Sequence, residues 1–160
     1  MPIYVNPILP AGTAFPTNTP VLTTHANYVT GDYVGTDHTP MTFASCVMPG
    51  GSGWVVGAAL CNGTVSTIAL ELWLFNATVD PGHDSDAFSI TDAEAKTCVA
   101  VIPFSTYYAS ALNSVSQSQP DGGSKRFVST TGSLFGCLVA RGTLVAADGD
   151  ITVRLGIMQD

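Results

Sequence analysis

An all-β sandwich of jelly-roll type is the fold this sequence predicts, and three observations carry it. Apolar residues alternate at period 2, most clearly in "DGDITVRLGIMQD" (148–160), where Ile151, Val153, Leu155 and Ile157 share one side. Sixteen glycines and ten prolines cut the chain into short pieces, as strands joined by turns require. A helix start signal stands out in one place, "ITDAEAKT", where Thr91 and Glu94 have the spacing of a capping box, so a short helix is expected near 91–97. About six to nine strands in two packed sheets satisfy all three.

Taken in order, residues 1–20 hold Pro2, Pro7, Pro10, Pro16 and Pro20. Proline lacks an N–H and drives the preceding residue to extended backbone, so this is an extended arm and not a helix. The residues between the prolines are too apolar for a solvated tail. Ile3, Tyr4, Val5, Ile8 and Leu9 are therefore expected to lie against the domain or a neighbouring subunit. The sandwich proper is expected over 21–160.

"VLTTHANYVTGDYVG" reads as strand broken at Gly31-Asp32, "TDHTP" as a loop and "MTFASCVM" as a strand closed by "PGGSG". "GWVVGAALC" is a strand followed by Asn62-Gly63, a hairpin signal. In "TVSTIALELWLFNAT", Ile68, Leu70, Leu72 and Leu74 form one face, and Ala69, Glu71, Trp73 and Phe75 the other. That second face is too apolar for plain solvent. Glu71, Trp73 and Phe75 are therefore expected at an oligomer seam, and Glu71 and Arg154 both point outward on strands able to neighbour one another. "VDPGHDSDAFSI" is a loop, "CVAVIPF" a strand, 105–126 a long polar loop, and "LFGCLVARG" with the closing segment completes the sheets.

Twelve acidic against five basic residues give a net charge of −7, so nucleic acid is not an expected partner. No apolar run reaches the length of a membrane span, roughly 18–20 residues, so a membrane is not an expected partner either. "MPIYVNPILP" has neither a basic n-region nor a small-residue cleavage site, so a signal peptide is not expected and the protein is read as soluble. Only 11% of residues are charged. A large core explains that, and so does a surface covered by partners, because interface centres are poor in charge.

Chemistry is sparse. Cys46, Cys61, Cys98 and Cys137 are widely spaced, lack metal-site spacing to any histidine, and read as buried reduced thiols. "GHDSD" (82–86) groups His83, Asp84 and Asp86, yet the same residue types build turns for backbone reasons, and a turn is the reading adopted. His25 and His38 stand isolated. None of the common nucleophile, phosphate-loop or zinc motifs is present. No catalytic residue, cofactor or metal is expected, and the protein is not read as an enzyme. Trp54 and Trp73 lie inside apolar strands and read as core or interface aromatics.

The segments "LELWLFNATVDP", "AFSITDAEAKTCVAVIPF" and "LFGCLVARGTLVAADGDITVRLGIMQD", with the arm "YVNPILP", resemble the small head proteins of tailed bacteriophages regarded as decoration or cement proteins. The resemblance spans roughly residues 64–160 well and the N-terminal third loosely. Its most specific pieces are "VRLGIMQD" after an Asp-rich turn and "LWLFNA" followed by T-D-A-E-A. It implies a virion protein, made in the host cytoplasm, that binds the outside of the major capsid protein shell as a homo-oligomer, often a trimer. The competing expectation is an adhesion module, displayed on capsid or tail, that binds host-surface glycans.

Overall fold

The computed structural model describes residues 13–14, 16–18, 26–64, 67, 69–147 and 149–160. The first strands are β1 (Thr13–Ala14), β2 (Thr17–Asn18), β3 (Ala26–Tyr28), β4 (Tyr33–Val34), β5 (Met41–Phe43), β6 (Ser52–Asn62) and β7 (Leu70–Phe75). After a helix, α1 (Asp92–Ala95), come β8 (Cys98–Phe104), β9 (Tyr108–Ala109), β10 (Ser114–Ser118) and β11 (Lys125–Val128). The last are β12 (Leu134–Ala140), β13 (Leu144–Ala146) and β14 (Ile151–Gln159).

One sheet of seven strands runs β1–β14–β6–β10–β9, with β2 also on β14 and β11 also on β6. A second sheet of five runs β4–β12–β7–β8, with β5 also on β12, and β3 pairs with β13 separately. Several neighbours lie end to end along one partner. β10 pairs with residues 58–62 of β6 and β11 with residues 52–55. β4 and β5 share β12 in the same way, and β1 and β2 share β14. Each such pair is one strand position interrupted by an inserted loop. Counted by position, with the two-residue β9 at the sheet edge and the separate β3–β13 pair set aside, the seven-stranded sheet reads first–eighth–third–sixth and the five-stranded sheet second–seventh–fourth–fifth. That order is a jelly roll.

Alternation builds the core between the sheets. Val55, Leu60, Val153, Leu155 and Ile157 point inward from one, and Phe43, Leu72, Leu74, Ile102, Phe104 and Leu138 from the other. Each such side chain contributes about 2 kcal/mol on burial. The fit is tight at Gly136 on β12, where a Cβ would stand 2.7 Å from Phe43 and 3.1 Å from Leu72. The helix is the expected one: Thr91 accepts from the Glu94 amide and the Glu94 carboxylate accepts from the Thr91 amide.

The outer face of the five-stranded sheet has its own cover. Tyr33, Phe75, Val79 and Cys137 form a second core, with Trp73, Phe88, Ile90 and Phe135 packed against it. Val79, Phe88 and Ile90 belong to the 76–97 connection, which lies across β7 and β12. Asp84 fastens this connection, accepting from the buried Tyr28 hydroxyl at 3.1 Å and from the Gly35 amide at 3.1 Å. Burial first, and the Asp84 carboxylate second, push the Tyr28 hydroxyl far above its usual range.

Four expectations need correction. The expected arm runs to residue 20, but the sheet already begins at Thr13. Asn62-Gly63 is not a hairpin: the Asn62 side chain accepts from the Thr64 amide and hydroxyl, and the chain crosses to the other sheet. The polar stretch 105–126 holds β9, β10 and the start of β11. Its serines mimic a loop in composition, yet Ser114 and Ser116 are 0% and 1% exposed, their hydroxyls donating to the Thr64 and Thr106 carbonyls. Finally, the four cysteines are free, but only Cys46 and Cys137 are buried, while Cys61 is exposed and Cys98 half-buried.

Candidate functional site

The seven-stranded sheet turns its other face outward, and no described residue covers it. Alternation, shifted once by a bulge at Val56, sends Trp54, Val56, Ala59 and Cys61 of β6 to this side, with Thr152, Arg154, Gly156 and Met158 of β14 beside them. Val115 and Gln117 of β10 extend the rows, opposite Cys61 and Ala59. Gly57 and Gly156 pair at the centre, where absent side chains open a shallow groove of about 390 Å³ between Val56 and Arg154. The face is apolar and small-residued, and Met158 is 48% exposed.

One end of the face is latched. Asp160 accepts from Ser52 Oγ at 2.6 Å, Trp54 Nε1 at 3.0 Å and Arg126 Nη2 at 2.9 Å. These donors, Ser52 foremost, hold its carboxyl below the ordinary range. The latch ties the closing strand across β6 to β11 and fixes the Trp54 indole on the face. Apart from Asp160, the described outward residues of this face carry no carboxylate.

Of the residues expected to make contacts, Ile3, Tyr4, Val5, Ile8 and Leu9 lie outside the described residues. Glu71 and Trp73 sit half-buried on the outer side of the five-stranded sheet. Phe75 shares that side, as phase places it, but its place at a seam is corrected: it is fully buried in the second core beneath the 76–97 connection, out of reach of any subunit. The apolar character of that face is answered by the chain's own 76–97 connection, since the Trp73 ring lies 5.6 Å from that of Phe88. Glu71 does not meet Arg154, which belongs to the other sheet. Its partner is Arg141, whose Nη2 donates at 2.6 Å, with the Trp73 indole N–H donating at 3.1 Å. Arg141 holds the Glu71 carboxyl below its usual range, and Glu71 raises Arg141 in return.

"GHDSD" is a turn, with Gly82 and Ser85 at positive φ, and its three titratable residues diverge: Asp84 faces inward to Tyr28. His83 instead meets His38, a residue of a different loop. Sequence reasoning passed over this pair and the bare sheet face alike. The face was signalled by the Gly, Ala and Val of "GWVVGAALC"; the histidine pair had no sequence signal, because it depends on two loops meeting. Among the described residues no helix is long and apolar enough to cross a membrane. No protein-family model matches the chain, and no curated protein matches it.

Proposed function

We propose that this chain is a structural virion protein, decorating and stabilising a phage head by binding the outside of the major capsid protein shell as a homo-oligomer, with no catalytic step. The observation that carries the reading is the asymmetry of the jelly roll: one sheet is covered by the chain's own 76–97 connection, while the other is, among the described residues, uncovered, largely apolar and nearly free of carboxylates. A molecule of net charge −7 brings copies together most easily where acidic side chains are sparse. The bare face is therefore the seam between copies in this reading, in place of the Glu71–Trp73 side. The apolar arm leaves from the edge of that same sheet, at β1, and serves as the contact to the shell. Several arms on one oligomer sum weak contacts into firm attachment. The resemblance to phage decoration proteins points the same way.

The test is co-sedimentation of the purified chain with expanded heads that lack it, alongside its mass by light scattering. An oligomer that binds saturably, at a fixed ratio to the major capsid protein, is expected; removal of residues 1–12 should weaken attachment and keep the fold. A monomer that ignores heads would overturn the proposal. Glycan-array binding by that monomer would then favour the adhesion module.

A further inference from the structure

His38 and His83 come from separate insertions, the 35–40 loop between β4 and β5 and the 76–97 connection, joined by the His38 amide donating to the Gly82 carbonyl at 2.8 Å. Their Nε2 atoms stand 3.2 Å apart, with ring centroids at 4.2 Å and planes inclined by 71°. The opposite nitrogens face carboxylates: His38 Nδ1 is 2.9 Å from Asp80 Oδ1, and His83 Nδ1 is 3.5 Å from Asp37 Oδ2. Those carboxylates are themselves oriented. Asp80 accepts from the Gly82 amide at 3.0 Å and Asp37 from the Asp84 amide at 2.7 Å.

A carboxylate beside Nδ1 draws the ring proton to that nitrogen and leaves Nε2 as a bare lone pair. Here the carboxylate is close at His38 and more distant, at 3.5 Å, at His83, and the two Nε2 atoms are brought side by side. A proton on one Nε2 satisfies both atoms at 3.2 Å as a hydrogen bond, and a metal ion that displaces this proton would take both nitrogens as ligands. Metal–nitrogen bonds of about 2.0–2.1 Å at a tetrahedral angle separate two ligand nitrogens by roughly 3.3–3.4 Å. The observed spacing is close to that. To aim both lone pairs at one ion the rings must swing apart, and both side chains are more than half exposed, so they have the room.

We propose that His38 and His83 form a two-histidine site for a borderline divalent transition metal of the zinc or nickel class, with Asp80 and Asp37 orienting the rings. Imidazole donors select such ions over calcium or magnesium, which take oxygen. Among the described residues no third histidine, cysteine or carboxylate joins the group, so the remaining positions are open to water or to a donor from outside the chain. Binding is therefore weaker than at a closed four-ligand site. This inference stands apart from the decoration reading, because the site lies on neither the bare face nor the arm.

The experiment is calorimetric titration of zinc ion into the full chain carrying Cys61→Ser, which removes the exposed thiol. One ion per chain is expected. His38→Asn, chosen because His38 has φ +53° and asparagine tolerates that backbone, and His83→Ala should each weaken binding at least about tenfold, and Asp80→Asn by roughly 10- to 100-fold. Imidazole ¹⁵N spectra of the same chain with both histidines intact provide a readout that needs no histidine variant: both Nε2 resonances should move on adding zinc while Nδ1 keeps its proton. Undiminished zinc binding by the doubly substituted protein, or unmoved Nε2 resonances, would overturn the assignment.

Discussion

Glu71 and Arg141 meet at 2.6 Å at the rim of the five-stranded sheet, where Arg141 is 34% and Glu71 26% exposed. Solvent screens a pair so placed, and its contribution is about 0.5–1 kcal/mol. The folded pKa of Glu71 is depressed, chiefly by the Arg141 hydrogen bond. The stabilisation is therefore complete above the unfolded value, about 4.3, and is lost as pH falls through the lower folded value. Urea midpoints of the wild type and Glu71→Gln should differ at pH 7 and converge at pH 2. A gap that persists in acid would mean the residue acts through packing and not through charge. Partner choice here was invisible in the sequence, because strand phase places Glu71 on a face without saying which sheet holds each arginine.

At the scale of elements, the 76–97 connection does for one sheet what a subunit was expected to do. Phe88 lies against Trp73 and within 6.5 Å of the Tyr33 ring centroid. Phe88→Ala should cost about 2 kcal/mol, below the figure for a fully buried phenylalanine. It should also shift Trp73 emission to longer wavelength in a Trp54→Phe background, and an unmoved spectrum would show that Phe88 does not shield the indole. The elements most legible in advance were those with an unmixed period: β14, the inner face of β7, and the capped turn at Thr91. Those misread had a second physical cause competing with composition. β10 is written in serine because hydroxyls satisfied by nearby carbonyls sit comfortably in a core, and Asn62-Gly63 turns the chain between sheets with the same residues that close a hairpin. The candidate sites were the least legible part, since each exists only where distant segments are laid side by side.

At the scale of the whole molecule, the charge of −7 and the bare face belong together. Ala59 lies in the middle of that face, opposite Gln117 and Arg154, and Ala59→Arg should leave the fold unchanged while driving the oligomer to monomers by light scattering. An oligomer unaffected by this guanidinium would move the seam elsewhere. The pairing of β1 with β14 has a mechanical consequence as well. Thr13 stands opposite Met158 and Ala14 opposite Ile157, so the chain leading back toward the arm leaves from the open end of the ladder. A pull on the arm directed across the sheet, away from β14, loads these hydrogen bonds one at a time and not in parallel, because they lie perpendicular to the strands. The edge then peels under a modest pull while β14 stays seated on β6, and an overstretched joint would release its tether before it tore the sandwich.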